Sequence, residues 1–352
     1  MIVVVITARP SYARVKTVLE GLEVRGLETL VLVAASGVIT RYGRVADVIA
    51  ADGFHVQEVP ALVDGNTLET GALTTGLLIG PLSRAFADLH PHLVVTIADR
   101  KETLATSIAA AYQHIPLMHL LGDEHSGSID EKVRAANRAL ADYHHETYTM
   151  GCPSVDLALR AHTTPAITST DELGGVGSRL ALTRPFVLCM QHAVSGEAAE
   201  PQMDITIEAL RHVPLPVLCF WPGEEAGAER MAKRLRMLRE EARGQEAWHF
   251  VINLAPGVFY RVLLQSACIV GNSSVGIREA GALGVPCVDI GSRQRGRRAG
   301  VNVLTVPHRT DLIAETIQRQ IAHGPYPPST LYGTGSAGSQ IAEWIHRIVA
   351  VS

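Results

Sequence analysis

The chain has 352 residues, of which 47% are hydrophobic and 19% charged, and its formal net charge is −4. This length predicts about two domains with sizeable cores, and the composition excludes a disordered chain. Charges of one sign form no long run, so we expect no nucleic-acid partner, because a nucleic-acid-binding face needs a basic excess.

The five cysteines are scattered and form no CxxC pair. This usage is typical of small buried hydrophobic residues in a reducing compartment. The apolar stretch at residues 1–6 is too short for a membrane span and lacks the basic flank of a signal peptide. We therefore predict a soluble, cytoplasmic protein with no membrane partner.

Apolar runs and helical patterns alternate through the first half of the chain. Predicted strands cover residues 2–6, 30–35, 56–59, 93–97 and 117–120. Five helices are predicted between and after these strands. The first ends near residue 25, the second and third cover residues 39–51 and 74–90, the fourth ends near residue 114, and the fifth covers residues 131–143. Residues 62–70 are polar and predict a loop. The alternation predicts a parallel α/β sheet with helices on both faces for a first domain at residues 1–152.

The same alternation recurs in a second domain at residues 153–338. Predicted strands cover residues 185–190, 217–221, 249–253, 267–270, 285–290 and 303–306, and predicted helices cover 203–211, 228–243, 257–265, 276–283 and 311–321. Residues 162–182 have a weak pattern that indicates a linker or a surface segment. A last helix, within residues 339–352, is expected to pack back on the first domain. The predicted fold class is α/β, with two Rossmann-like doubly wound domains facing a central cleft.

One βαβ stretch of the second domain, residues 267–291, has the pattern of a phosphate-binding site. Its loop supplies Ser273 and Ser274 before a predicted helix, and the free N–H groups and positive dipole of a helix start attract phosphate. Glu279 follows one turn later, where a carboxylate can accept ribose hydroxyls. An ordinary capped helix would show the same serines. The acid and the basic run at residues 293–298 favour a nucleotide diphosphate site.

Three successive stretches of the first domain carry carboxylates after predicted strands. Asp99 follows the strand at residues 93–97, and Glu124, Asp130 and Glu131 follow the next strand. Because parallel strands end at one edge of a sheet, we expect these acids to converge, with their mutual repulsion splitting their pKa values for acid and base roles. Apart from Glu124, they also occupy favoured capping or first-turn positions, so a structural role stays open for them.

Basic side chains follow strands of both domains. Arg9, with Ser11 beside it, follows the first strand and can hold a phosphate with two hydrogen bonds. A solvated loop residue is the alternative for Arg9. His192 follows a strand of the second domain and can bind a phosphate or protonate a leaving group.

A metal site is the alternative interpretation of the acid-rich loop. Its ligands would be His119, Asp123, Glu124 and His125. These residues lack helical HxxxH spacing, and no second cluster accompanies them. We therefore predict neither a metal nor a cofactor.

Six motifs in chain order resemble those of a known family. They are TARPSY at residues 7–12, ADRKETL at 98–104, GDEHSGSIDE at 122–131, GCPSVD at 151–156, GNSSVGIRE at 271–279 and GSRQRG at 291–296. With these motifs the chain resembles the hydrolysing UDP-N-acetylglucosamine 2-epimerases over nearly its whole length.

The resemblance implies a glycosyltransferase-B-like fold with the active site in the cleft. It implies conversion of UDP-N-acetylglucosamine, or a related amino-sugar nucleotide, and water to N-acetylmannosamine and UDP, through elimination to a glycal and rehydration. It also implies a homo-oligomer, either a dimer or a tetramer, that serves sialic acid or surface polysaccharide biosynthesis. The predicted catalytic residues are Asp99, Glu124, Asp130, Glu131 and His192. The predicted nucleotide-binding residues are Arg9, Ser11, Lys16, Asn272, Ser273, Ser274, Gly276, Glu279 and Arg293.

The chain departs from the family pattern at several points. Ala135 stands where a histidine is usual, residues 222–225 read PGEE in place of a PNID-like loop, and the motif at 151–156 follows Tyr143 sooner than usual. Three other functions therefore stay open. They are a non-hydrolysing epimerase, a glycosyltransferase of the same architecture, and a non-catalytic nucleotide-sugar-binding homologue. The acid-bearing loops favour base chemistry over glycosyl transfer.

Overall fold

The computed structural model describes residues 1–122, 129–142, 149–194, 197–241 and 247–351. The chain forms two compact units. Unit 1 consists of Met1–Asp156 and Gly333–Ser352, and unit 2 consists of Leu157–Tyr332. Among the described residues, no helix combines the length and the apolar character that crossing a bilayer requires.

Unit 1 is built on a five-stranded parallel sheet. Its strands are β1 (Ile2–Ile6), β2 (Thr29–Ala34), β3 (Val56–Val59), β4 (Leu93–Ile97) and β5 (Leu117–Leu120). Their order in the sheet is β3-β2-β1-β4-β5. The chain therefore reverses its direction of winding between β1 and β4, and ligands of such sheets bind outside the carboxyl ends of the strands at this switch point.

Helices cover both faces of the unit 1 sheet. They are α1 (Arg9–Ala13), α2 (Lys16–Val24), α3 (Val45–Ala51), α4 (Leu68–Leu89), α5 (Thr103–Tyr112), α6 (Ile129–Leu140) and α7 (Pro153–Leu159), of which α7 runs across the boundary into unit 2. Val4 and Ile6 of β1 pack in one apolar core, whereas Val3 and Val5 pack in another. The uninterrupted β-branched run of β1 thus reflects burial on both faces.

Unit 2 contains a seven-stranded sheet. Its strands are β6 (Val176–Gly177), β7 (Val187–Met190), β8 (Val217–Phe220), β9 (Trp248–Val251), β10 (Cys268–Gly271), β11 (Cys287–Ile290) and β12 (Val303–Val306). The order is β12-β11-β10-β7-β8-β9-β6. All neighbouring strands are parallel except β6, which pairs antiparallel with β9. The switch point of this sheet lies between β10 and β7.

The helices of unit 2 are mostly longer than its strands. They are α8 (Ala199–Arg211), α9 (Ala228–Glu241), α10 (Pro256–Gln265), α11 (Ser274–Ile277), α12 (Glu279–Leu283) and α13 (Thr310–His323). Met203 of α8, Leu235 of α9 and Ile317 of α13 are fully buried in one core with Val187 and Val270 of the sheet. Apolar burial of this kind is the main stabilising contribution to the unit.

The last helix, α14 (Ala337–Val351), returns the chain to unit 1. The Asp156 carboxylate accepts hydrogen bonds from the backbone N–H groups of Ala337 at 3.1 Å and Gly338 at 2.7 Å. A Cβ on Gly338 would lie 2.2 Å from Oγ1 of Thr17. The acid satisfies N–H groups at the helix start, and the glycine allows α14 to approach α2 closely.

The start of one helix was predicted wrongly and one edge strand was missed, because their sequence signals are short. Helix α4 begins at Leu68 rather than at residue 74, since Thr67 and Thr70 form a capping box that starts the helix within the polar stretch. The stretch at residues 162–182, predicted as a linker or surface segment, contains the exposed edge strand β6, which was not predicted. A two-residue edge strand is too short to show an alternating pattern.

The helix predicted at residues 276–283 is divided in the structure. Helices α11 and α12 meet at Arg278, whose backbone N–H donates to the Ser274 carbonyl at 3.1 Å while its own carbonyl accepts from Ala282 at 3.0 Å. The hydrogen bonding therefore continues across the junction, although the backbone there is irregular, with ψ of −69° at Arg278.

Candidate active site

A glycine at the end of β10 shapes the carboxyl edge of the unit 2 sheet. Gly271 has a φ of +136°, and a Cβ on it would lie 2.1 Å from the carbonyl oxygen of Met190 at the end of β7. Only glycine tolerates both conditions. The close approach brings the loops after β7 and β10 together at the switch point of the sheet.

Asn272 joins these two loops through its side-chain amide. Its Oδ1 accepts a hydrogen bond from the backbone N–H of His192 at 2.7 Å, and its Nδ2 donates to the backbone carbonyl of His192 at 2.8 Å. Asn272 is fully buried, so loss of either bond would leave a polar group without water. The side chain predicted to bind a nucleotide therefore holds His192 in position.

The imidazole of His192 lies beside a carboxylate that the sequence analysis missed. Its Nδ1 is 3.8 Å from Oε1 of Glu225, and the two side chains are 15% and 24% exposed. A protonated His192 would therefore form an ion pair here. Glu225 could have been predicted from its place in the loop after β8, the strand next to β7. It was not, because this loop departs from the family pattern.

The predicted serines lie at the start of α11. The Ser273 hydroxyl accepts from the Val275 N–H at 3.4 Å as the N-cap, and the Ser274 hydroxyl accepts from Nη2 of Arg278 at 3.1 Å. A Cβ on Gly276 would lie 2.4 Å from Sγ of Cys287. Gly276 therefore serves the packing of α11 against β11. The two serines keep their predicted place after β10.

Glu279 begins α12 and is almost fully buried beside a cation. Its side chain is 2% exposed and that of Arg278 is 1% exposed, with Oε2 of Glu279 3.7 Å from Nε of Arg278. The guanidinium compensates the buried carboxylate. Arg278 was not predicted as a partner of Glu279, although a basic residue directly before a buried acid indicates such a pair.

The loop after β11 reaches the same edge of unit 2. Nη1 of Arg293 donates to the backbone carbonyl of Asn272 at 3.1 Å, and Nε2 of Gln294 donates to that carbonyl at 2.7 Å. Within β11, burial raises the pKa of Asp289 to about 6, although a hydrogen bond from Thr305 and the charge of Arg293 oppose the shift. His192, Asn272 and Arg293 thus form one connected group. Asp289 could not be predicted as part of this group, because the sequence shows only that it is an acid within an apolar strand.

In unit 1, Asp99 follows β4 and lies between two guanidinium groups. Nη1 of Arg14 is 3.8 Å from Oδ1 of Asp99, and Nη2 of Arg134 donates to Oδ2. Arg134 is buried, with 2% of its surface exposed. Two cations favour the ionised carboxylate. Neither arginine was predicted, although Arg134 lies three positions after Glu131, on the same face of α6.

His119 of β5 is close to this charged group. Burial lowers the pKa of His119 to about 4, and the positive charge of Arg134 adds to the effect. Within the described part of the chain, neither ring nitrogen has a hydrogen-bond partner. At neutral pH His119 is therefore an uncharged neighbour of Asp99 and Arg134.

The predicted residues after β1 occupy the two helices that follow it. Arg9 begins α1, and Ser11 is buried within that helix. Lys16 begins α2, and its Nζ lies 2.7 Å from Oδ2 of Asp52, which also accepts a hydrogen bond from the Tyr12 hydroxyl. Lys16 therefore has a carboxylate partner within unit 1. The nucleotide-binding roles of these residues stay predictions.

The remaining acids are only partly described by the structure. Glu124, together with Asp123 and His125, lies outside the described residues, and so does the side chain of Asp130. Glu131 is a half-buried residue of α6. Over the described ranges, no three His, Cys, Asp or Glu side chains are grouped in a way that could hold a metal ion.

Sequence comparison relates the chain to one family. A family model described as UDP-N-acetylglucosamine 2-epimerase matches residues 22–346. The chain is 25% identical to a UDP-N,N'-diacetylbacillosamine 2-epimerase (hydrolyzing) of Legionella pneumophila, in an alignment covering 99% of this chain and 96% of the relative. It is also 25% identical to a UDP-N-acetylglucosamine 2-epimerase of Neisseria meningitidis, with 93% and 89% of the two chains covered.

Solved structures share the fold. The UDP-GlcNAc 2-epimerase of Methanocaldococcus jannaschii in complex with UDP-GlcNAc and UDP superposes with a TM-score of 0.79 at 12% identity, covering 98% of this chain and 99% of that one. The Neisseria meningitidis enzyme bound to UDP-GlcNAc gives a TM-score of 0.74 at 16% identity, with the same coverage. The predicted glycosyltransferase-B-like fold class is confirmed. Because the family model matches most of its length, the chain belongs to the UDP-N-acetylglucosamine 2-epimerase family.

Proposed function

We propose that this protein is a hydrolysing sugar-nucleotide 2-epimerase. It converts UDP-N-acetylglucosamine, or a related amino-sugar nucleotide, and water to N-acetylmannosamine, or the related 2-epimer, and UDP. Membership of the family supports action on a UDP-sugar at C2. The Legionella relative, which is named as hydrolysing, supports water as the second substrate.

The observation that carries the proposal is the group formed by Asp99, Arg14 and Arg134 at the carboxyl end of β4. Removal of a weakly acidic C2 proton needs carboxylates held in fixed positions. A carboxylate between two guanidinium groups is fixed and ionised, but it is a weaker base than one without cations. We therefore assign Asp99 to electrostatic and positioning work, and the proton transfers to Glu124, Asp130 or Glu131.

The unit 2 group supplies what departure of a diphosphate requires. His192, held by Asn272 and paired with Glu225, can carry positive charge, and Arg293 adds a guanidinium group. Ser273 and Ser274 add hydroxyl donors. These groups would stabilise the negative charge that develops on UDP as the bond to C1 breaks.

The reaction then follows in two balanced steps. In the first, a base takes the proton from C2, the C1–O bond breaks with its electron pair going to UDP, and a C1–C2 double bond forms. In the second, the hydroxyl of a water molecule adds to C1. A proton adds to C2 from the face opposite to the one that the first proton left, which inverts C2. The sum consumes one water molecule and gives the free 2-epimer and UDP.

The proposal is tested by product analysis in ¹⁸O-labelled water, with UDP-N-acetylglucosamine and UDP-N,N'-diacetylbacillosamine as separate substrates. The expected products are UDP without ¹⁸O and the free 2-epimer of one of these sugars, because water attacks carbon and not phosphorus. A UDP-linked 2-epimer without free UDP would indicate the non-hydrolysing reaction. Binding of UDP without conversion of either sugar nucleotide would contradict the proposal.

A further inference from the structure

Helix α6 packs on unit 1 mainly through polar side chains. Among residues 131–140, whose burial the structure describes, Arg134 and Asn137 are the buried ones, 2% and 0% exposed. They lie three positions apart and therefore share one face of the helix. A helix that packs by apolar burial carries leucine or valine at such positions, but Val133 and Leu140 of α6 are only half-buried. The hydrogen bonds of the two polar side chains therefore define where α6 lies.

Asn137 forms its side-chain hydrogen bonds with two hydroxyl groups of α5. Its Oδ1 accepts from Oγ of Ser107 at 2.8 Å, and its Nδ2 donates to Oγ1 of Thr103 at 2.6 Å. Thr103 and Ser107 are buried and lie one turn apart on the same face of α5. The amide is therefore held from both sides along the axis of α5. A slide of α6 by about 1.5 Å, the rise of one residue, would break this arrangement.

The same hydrogen bonds lead to the loop that carries Asp99. Oγ1 of Thr103 donates to the backbone carbonyl of Arg100 at 2.6 Å, one residue after Asp99. Nη2 of Arg134 donates to Oδ2 of Asp99 itself. Helix α6 thus contacts this segment at two points. The long arginine side chain can adjust to a displaced helix, whereas the short side chain of Asn137 cannot. Asn137 therefore sets the register from which Arg134 reaches Asp99.

The stability of unit 1 does not by itself require an amide at this position. Without Asn137, the Thr103 hydroxyl keeps the Arg100 carbonyl as its acceptor. The Ser107 hydroxyl keeps the Thr103 carbonyl, which lies 3.3 Å away. A leucine at position 137 would therefore bury apolar surface without leaving a hydroxyl donor unpaired. A buried amide is, however, a side chain by which packed helices fix a single register.

We propose that Asn137 is a positioning residue of this enzyme. It fixes the register of α6 on α5, and through that register Arg134 holds Asp99. The same register places the first turn of α6, which carries Asp130 and Glu131. The inference rests on the proposed function, because these acids are the groups assigned to the chemistry at C2.

Steady-state kinetics of the full chain, with the sugar nucleotide that it converts, test the proposal. Asn137→Leu should lower kcat about 10- to 100-fold and leave KM within about threefold, because the reacting groups are displaced. Lys132→Leu, at an exposed position of α6, is the matched control and should keep the wild-type kcat. Thr103→Val removes the same contact from the α5 side and should also lower kcat. Circular dichroism shows whether each variant is folded. A folded Asn137→Leu variant with the wild-type kcat would overturn the proposal.

A double-mutant cycle shows whether Asn137 acts through Arg134. If it does, adding Asn137→Leu to Arg134→Met should lower kcat by less than about threefold beyond the loss in Arg134→Met alone. A general weakening of the fold would instead multiply the two losses. Multiplied losses would therefore overturn the proposal.

NMR of the free protein separates this inference from the proposed function. The Nε–H signal of Arg134, assigned by its loss in Arg134→Met, reports on the guanidinium group without any substrate. We expect this signal to shift in Asn137→Leu and in Asp99→Asn, but not in Lys132→Leu. An unchanged signal in Asn137→Leu would overturn the inference, whatever the chain converts. A shifted signal in a chain that converts neither sugar nucleotide would uphold the register set by Asn137 and refute the proposed function.

Discussion

The clamp that Asn272 forms on His192 gives the sharpest prediction about the candidate site. The substitution Asn272→Asp keeps the size of the side chain and one oxygen that can accept from the His192 N–H. It replaces the Nδ2 donor, which lies 2.8 Å from the His192 carbonyl oxygen, with a second acceptor. Two acceptors then face each other in a fully buried position, unless the new carboxyl group is protonated.

The expected loss follows from this geometry and depends on pH. At pH 8 the ionised carboxylate loses one hydrogen bond and buries a charge, which destabilises the fold by about 2–4 kcal/mol. The protonated carboxyl group can donate to the carbonyl, so folding raises its pKa above the unfolded value of about 3.9. The stability of the variant is therefore greatest at low pH and is lost as pH rises through the raised pKa.

Thermal unfolding at pH 5 and pH 8 measures this difference. We expect the midpoint of the variant to fall by about 5–15 °C at pH 8 and by roughly half as much at pH 5, where the pH is only about one unit above the unfolded pKa. The control is Asn66→Asp, because Asn66 lies outside the sheet core and its Oδ1 accepts a hydrogen bond from the Tyr42 hydroxyl at 3.0 Å, which an aspartate oxygen can also accept. It should change little at either pH. If Asn272→Asp behaved like this control, Asn272 would not hold His192 as described.

Three further predictions concern the sheet edges of both units. Arg134→Met should lower kcat at least about 100-fold and leave UDP affinity in calorimetry within about threefold, because Arg134 holds Asp99 in unit 1. Gly271→Ala should destabilise the fold by about 3 kcal/mol or more in thermal unfolding, since its φ is +136° and its Cβ would meet a carbonyl oxygen at 2.1 Å. Asp289→Asn should raise stability at pH 8 by about 1–3 kcal/mol but not at pH 4, because burial raises the pKa of Asp289 to about 6. The folded carboxyl group binds its proton more tightly than the unfolded one, so stability falls between about pH 4 and pH 6 in the native chain.

Matched controls make these three results interpretable. Arg138→Met, at an exposed position of α6 one turn after Arg134, should retain activity, and an equal loss in both variants would argue against a specific role for Arg134. Gly257→Ala, where a Cβ meets no atom within 4 Å, should be neutral. A pH-independent effect of Asp289→Asn would show that ionisation of this group does not limit stability.

The fold could be predicted because its signal is repeated along the chain. The β-branched run of β1 and the apolar runs of β4 and β10 each precede a helical pattern, and this alternation permits few topologies other than doubly wound sheets. Elements without such a pattern were missed. Strand β6 has two residues, and the start of α4 depends on a hydrogen bond between Thr67 and Thr70.

The residues of the candidate site could be predicted only where a polar or ionisable residue directly follows a strand. His192, Asn272 and Asp99 each stand at the carboxyl end of a strand, and general rules for parallel sheets identified them. Arg14 and Arg134 come from helices, so their approach to Asp99 depends on tertiary packing that no local pattern records. The role of Asn272 was also not predictable, since its partners are backbone atoms of a loop 80 residues away.

In the proposed reaction this chain removes and replaces the proton at C2 of a sugar nucleotide. A proton NMR time course in deuterated water with UDP-N-acetylglucosamine follows this exchange. We expect free UDP to appear together with N-acetylmannosamine that carries deuterium at C2. Release of UDP with a sugar that keeps its original C2 proton would contradict elimination through a glycal, and with it the proposed mechanism.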